Sequence, residues 1–188
     1  MPDNDHRISL IRFCAGALLL AFYLPSAFVH ALQDDNDQPI HIVADKALRD
    51  EKQGITIYSG NVVMTQGSMK LEGATVTIYH TQDNNVEKAV AEGNPAKMQQ
   101  QPDPEKAIVY GHGKVVTYYG PESKVHLQTD AYIDQDGAVV TGNSIDYLLD
   151  DQVITAESNQ SQKDDKVIVV IPPNVQHKET RNGATPSK

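Results

Sequence analysis

The side chains that could hold a metal or attack a bond are few and poorly spaced for either task. Asp134-Gln-Asp-Gly137 has the opening of a calcium loop. An EF-hand loop needs glycine at its sixth position and glutamate at its twelfth; Val139 and Ile145 stand there. A hairpin turn explains the stretch better. His41, His80, His112, His126 and His177 show no paired spacing that would bring two imidazoles onto one zinc. Flanked by glycines, His112 reads as a loop or strand-face residue. Ser59, Ser68 and Ser144 lack the elbow that presents a nucleophile. No Gly-Lys-Ser/Thr loop cradles phosphate. Acidic pairs such as Asp150-Asp151 sit at turns, where hydration explains them, and nothing marks the two separated carboxylates of a glycosidase. The expectation is a protein that is not an enzyme and needs no cofactor.

The formal net charge is −9. Nucleic-acid binding runs on Lys and Arg against phosphates, so no nucleic-acid partner is expected. A basic patch for an anionic headgroup is missing as well. Arg7 and Arg12 precede an apolar run, Phe13 to Leu24, and Val29-His30-Ala31 offers a small residue for cleavage. Twelve apolar residues fall short of the about 20 that span a bilayer. Residues 1–31 therefore read as a secretory signal. Residues 32–175 then form one domain, and 176–188 a polar, disordered tail. The only cysteine, Cys14, leaves with the signal, so an exported chain must rely on its core without disulfides.

The elements that must position any site are strands. From Gln38-Pro-Ile-His-Ile-Val-Ala44 onward the chain is short alternating segments rich in Thr, Val, Ile and Tyr. Turn residues separate them at 51–54, 66–67, 82–85, 92–95, 120–121, 136–137, 150–151 and 162–165. Only Asp45 to Lys52 is compatible with a helical turn. The chain also repeats itself. A slide of 69 residues lays Tyr58–Gln66 on Leu127–Gln135, and Leu71–Ile78 on Val140–Tyr147, without a gap. Cut finer, four related units begin at Ala44, Gly73, Gly113 and Gly142, each followed by an Asn or Asp at 61, 94, 130 or 159.

Alternation decides which face is inside. Val125, Leu127, Ala131 and Ile133 are apolar between polar neighbours, so their counterparts Thr56, Tyr58, Val62 and Met64 should also point inward. Parity then changes, from Leu71 and Gly73 to Val76 and Ile78, and from Val140 and Gly142 to Ile145 and Tyr147. Such a change at a small residue marks a bulge or corner. Strands that bend this way build two facing antiparallel sheets, a sandwich or jellyroll. With no Trp and few aromatics, the interior fits a sealed aliphatic core, or a slot for flexible apolar ligands. The Ile40 strand and Lys166-Val-Ile-Val-Val-Ile171 stand at opposite ends of the chain. They either pair within one molecule or remain as edges that add to another copy.

Asp37-Gln-Pro-Ile-His-Ile42, Ser59-Gly-Asn-Val-Val-Met-Thr-Gln-Gly67, Gly93-Asn-Pro-Ala96 and Gly142-Asn-Ser-Ile-Asp-Tyr147 together resemble the LptA/OstA-like family of periplasmic lipopolysaccharide-transport proteins. The resemblance covers nearly all of 32–175. It implies an all-β antiparallel jellyroll of sixteen strands, shaped as an open V-shaped groove. It implies lipid A acyl chains inside the groove and head-to-tail homo-oligomers. It also implies an LptC-type inner-membrane protein and an LptD-type outer-membrane translocon as partners. The family's groove positions fall on Ile40, Ile42, Met98 and Tyr118. Met98 stands where the family often has an aromatic residue, and Gly111 where the repeat expects a larger one.

Together with Tyr58, Val62, Met64, Leu71, Val76, Leu127, Ile133 and Ile145, these make the candidate acyl groove. Ile40, Ile42, Val167, Val169 and Ile171 make the candidate rims. A passive apolar conduit follows, driven from elsewhere. The alternative is a polysaccharide-binding or adhesin-like repeat β-protein, which should show aromatic platforms for sugars.

Overall fold

The structure is a computed structural model that describes residues 35–161 and 166–173. The expected signal segment, the turn at 162–165 and the tail lie outside the described residues. Among the described residues, ten strands follow in order: β1 (His41–Val43), β2 (Lys46–Asp50), β3 (Ile55–Gln66), β4 (Met69–His80), β5 (Val86–Gln100), β6 (Val109–Tyr119), β7 (Lys124–Gln135), β8 (Ala138–Leu148), β9 (Val153–Glu157) and β10 (Ile168–Val170). Two short 3-10 turns, Asp35–Asp37 and Gly120–Glu122, accompany the strands. The helix-compatible patch at 45–52 is strand β2, because the upstream half of β3 offers it an open edge to pair with; pairing overrides local propensity.

All strands belong to one antiparallel sheet that meanders from β3 to β8. The ladder slips in every neighbouring pair at the same level: Ser59/Val62, Glu72/Thr75, Glu92/Ala96, His112/Val115 and Gln128/Ala131. The long strands β3 to β8 are thus each two segments joined at a corner. The short strands obey the same division. β1 pairs with the downstream half of β3 and β2 with its upstream half; β10 and β9 divide β8 likewise. Six divided strands and four short ones give sixteen segments. The two expected sheets are therefore halves of one hydrogen-bonded sheet. Layer one holds residues 62–66, 69–73, 96–100, 109–113, 131–135 and 138–142; layer two holds the other halves.

The corner explains the small residues of the repeat. A Cβ on Gly73 would lie 2.8 Å from the carbonyl oxygen of Glu92, on Gly113 2.8 Å from that of Gln128, and on Gly142 2.9 Å from that of Glu157. Each glycine lets the next strand's backbone cross. The 69-residue slide also maps Gly60-Asn61 onto Thr129-Asp130, and both pairs turn left-handed, at φ 84° and 46°, and 60° and 57°. Glu92-Gly-Asn-Pro95, expected as a turn between strands, is the corner inside β5. Pro95 stands where the ladder is interrupted, so its missing N–H costs no pairing bond. Asp136-Gly137 is a two-residue hairpin with positive φ at both positions, 53° and 81°. Gly137 N–H donates to Asp134 Oδ1 at 3.0 Å.

Folding at the corner brings the layers together. Leu127 and Ile133 lie on opposite sides of the corner in β7, six residues apart, which is about 20 Å of extended strand. Yet a Cβ on Gly111, the direct partner of Ile133, would lie 3.3 Å from Leu127 Cδ1. Parity switches as the sequence implies. Leu71 faces inward before the corner and Val76 after it, as do Ala96 after Ala91 and Val116 after Gly113.

Candidate functional site: the interior between the layers

The candidate groove residues converge on one cluster. Val62, Met64, Leu71, Val76, Met98, Tyr118, Leu127, Ile133 and Ile145 are all buried in it, none more than 2% exposed. Ile40, Ile42 and Tyr58 pack against it while partly exposed. Alternation brings each of them there, since inward positions of successive strands stand side by side. No charged side chain is among the buried residues described; the buried polar ones are Thr56, Gln66, Gln100, Thr117 and Ser123. The acidic surplus therefore stays outside.

Met98 and Gly111 explain each other. They face directly across β5 and β6, and a Cβ on Gly111 would lie 2.9 Å from both Met98 Cγ and Sδ. Met98 occupies the space that the glycine vacates. A flexible thioether suits such an irregular gap. The missing side chain at 111 does not disturb the strand start, since β6 begins at Val109.

The layers are joined at the corner, and at their far ends Lys106 Nζ, between β5 and β6, donates to Gln152 Oε1, between β8 and β9, at 2.7 Å. There a cavity of about 400 Å³ opens, lined by Gln38, Ile40, Gln66, Val86, Tyr118, Gly120 and Pro121. Ile40 and Gln66 come from the layer-one end, Val86 and Tyr118 from the layer-two end. Ile40 and Tyr118, far apart in sequence, thus meet at one mouth. Sequence reasoning missed Gln38, Gln66, Val86 and Pro121. Gln66 continues the even parity of Val62 and Met64 and was legible on that basis.

The lip at 35–40 is pinned. Asp35 Oδ1 accepts from Ser68 N–H at 2.6 Å and Oδ2 from Ser68 Oγ at 2.5 Å. Gln66 Nε2 donates to the Gln38 carbonyl at 3.2 Å. Deeper in, Tyr147 Oη is buried without a hydrogen-bond partner among the described residues. Burial pushes its pKa up, so the phenol stays protonated.

The candidate rims are open. β1 pairs only with β3, and β10 only with β8, so the described sheet does not close on itself. Val167, Ile168, Val169, Val170 and Ile171 are all exposed, as are Val43 and Leu48 at the other edge. Both faces of β10 are bare, and one row of its backbone groups has no ladder partner in this sheet.

The histidines do other work. His80 Nε2 lies 3.1 Å from Thr56 Oγ1, and His126 Nδ1 lies 2.6 Å from Asp146 Oδ1. His177 lies outside the described residues. No group of three metal-capable side chains comes together among the described residues, and no helix there is long and apolar enough to cross a membrane.

Residues 41–153 match the model of the LptA/(LptD N-terminal domain) LPS transport protein family. The lipopolysaccharide export system protein LptH of Pseudomonas aeruginosa is 37% identical over 133 residues, covering 71% of this chain and 76% of that protein. LptA of Escherichia coli K12 is 30% identical over 189 residues, covering 100% of this chain and 98% of that protein. The crystal structure of Pseudomonas aeruginosa LptH, described as the periplasmic LptA-homologous component of the lipopolysaccharide transport device, aligns at a TM-score of 0.70 and 34% identity. It covers 75% of this chain and all of that one. A bent, unclosed antiparallel sheet around an uncharged aliphatic interior, matched along most of its length, makes this chain a member of the LptA/LptD N-terminal domain family of lipopolysaccharide transport proteins.

Proposed function

We propose that the chain is a periplasmic lipopolysaccharide carrier that holds lipid A acyl chains between its two layers and passes them from the inner toward the outer membrane. One observation carries this: an uncharged apolar interior opens at a mouth formed by Ile40, Val86 and Tyr118. Each methylene moved from water into apolar surroundings gains about 0.8 kcal/mol. A chain of about ten methylenes then gains about 8 kcal/mol, enough to offset parting some packed side chains. The polar, phosphorylated head stays outside with the solvent, because burying it uncompensated costs far more.

Many similar inward residues and no charged anchor give the lipid near-equal positions along the interior. Direction then comes from an upstream ATPase. The open edges at β1 and β10 suit head-to-tail addition of copies, and of an LptC-type protein at one end and an LptD-type translocon at the other. Export by a cleaved signal at 1–31 fits this placement. The adhesin alternative finds no support in the family.

The test places a photo-crosslinking residue at Ile42, at Tyr118 and at the outward Gln128. Lipopolysaccharide adducts are expected at the first two sites only. Equal labelling at Gln128 would remove the interior as the carrier site.

A further inference from the structure

The outward face of layer one carries a cluster for which acyl transport has no use. The strand register lays two rows across it. Glu72, Lys97, His112 and Tyr132 stand opposite one another on β4 to β7, and Lys70, Gln99, Tyr110 and Asp134 form the adjacent row. Directly opposed side chains have Cβ atoms about 5 Å apart. A cavity of about 270 Å³ is lined by Lys70, Glu72, Lys97, Gln99, Tyr110 and His112, with Met98 and Gly111 at its floor; Tyr132 reaches it through His112. Tyr110 is 50% exposed, large for a tyrosine in mid-sheet. The His112 ring stacks on Tyr132, centroids 4.6 Å apart and planes 12° apart. Lys70 pairs with Glu72, while Lys97 makes no ion pair among the described residues. Burial first, then the charge of Lys97, hold the His112 imidazole below its ordinary pKa, with Asp130 working against them. At neutral pH the ring is an uncharged aromatic surface.

We propose that this outer face binds one ring of an acidic saccharide, stacked on Tyr110 and the His112–Tyr132 pair, with its anionic substituent at Lys97. A pyranose has apolar C–H faces and a girdle of hydroxyls that both donate and accept. The cluster offers aromatic surface for the first and both kinds of partner for the second: an acceptor at Glu72, a donor and an acceptor at Gln99, donors at Lys70. A phosphate or carboxylate on the ring meets the free ammonium of Lys97. An acyl chain would offer no partner to any of these polar groups. A nucleic acid would face Glu72, Asp134 and a chain of net charge −9. The volume lies just below the about 300–1,000 Å³ of drug-sized sites, which fits one sugar ring. The site depends on the carrier function only for which sugar it meets: the oligosaccharide of the carried lipid, or another acidic cell-envelope glycan.

The test titrates the ¹⁵N-labelled chain with fully deacylated lipopolysaccharide, with the same oligosaccharide after dephosphorylation, with a muramic-acid disaccharide, and with inorganic phosphate. Amide shifts are expected at Lys97, Tyr110, Gly111, His112 and Tyr132. Tyr110→Ala should weaken saccharide binding about tenfold, and Lys97→Ala should do so only for sugars that carry a charge. Both side chains are exposed, and circular dichroism checks that the fold is retained. Whichever acidic sugar binds tighter identifies the source, and tight binding by either supports the site. Shifts scattered over the whole surface, unchanged affinity in Tyr110→Ala, or an equal response to inorganic phosphate alone would overturn it. Ile42 crosslinking in Tyr110→Ala separates the two functions: acyl adducts should persist there whether or not the sugar binds.

Discussion

Gly111→Ala tests the packing of the interior. The backbone at 111 accepts alanine, since its φ is not left-handed. By itself that replacement stabilises by about 0.4–1 kcal/mol through the unfolded chain. The new methyl, however, lands 2.9 Å from Met98 Cγ and Sδ and 3.3 Å from Leu127 Cδ1. Overpacking of this kind costs about 1–3 kcal/mol, and the flexibility of Met98 holds it to the lower half. The net expectation is a loss of about 1 kcal/mol. Met98→Ala alone empties a site 2% exposed and should cost about 2–4 kcal/mol.

The double variant should cost less than the sum by about 1–2 kcal/mol, because the alanine methyl at 111 partly fills what Met98 leaves. Urea unfolding followed by circular dichroism measures all four proteins. Additivity within about 0.3 kcal/mol would show that the two side chains do not share one space, and the account of Met98 filling the place of Gly111 would be wrong.

Three further outcomes are expected. Ile145→Asp, at a fully buried position, should lose about 3–5 kcal/mol by burying an unpaired charge, whereas Gln128→Ala on the outer face should stay within about 0.5 kcal/mol; similar losses for both would mean the faces are inverted. Deleting 166–175 should abolish long oligomers in light scattering while most β-structure remains, and unchanged oligomers would exclude β10 as the growing edge. Tyr147→Phe should stabilise by about 1 kcal/mol, because it removes a buried hydroxyl without a partner. The folded state also holds the Tyr147 proton to higher pH than the unfolded state does, so stability falls as pH rises above the ordinary 10.0; the phenylalanine variant should lose that part of the alkaline slope, and an unaltered slope would show the phenol to be solvated.

Much of this was readable along the chain because β-structure with one buried face writes itself as period two. The inward parity of Val62, Met64, Leu127 and Ile133 and its reversal between Leu71 and Val76 reappear in three dimensions, and Gly60-Asn61 and Thr129-Asp130 all have positive φ. Local pattern failed at two places, and for the same reason. Residues 45–52 took the strand state that an open neighbour offered, and 92–95 became a corner within β5 where turn residues suggested a break between strands. Pairing partners distant in sequence made both choices.

Composition and alternation, then, specified an all-β chain, its inner face and the positions of its bends, and four short motifs carried the resemblance to the family. They left undecided whether the two layers were separate sheets, whether the ends would close on each other, and which residues would stand at a mouth. Those depend on where the strand segments lie once the sheet is bent. Ile40 and Tyr118 share an opening, and Leu127 reaches the backbone at Gly111, only because the corner folds distant segments over one another. Alternation along a strand says which way a side chain points; what it meets there is set by the layer opposite.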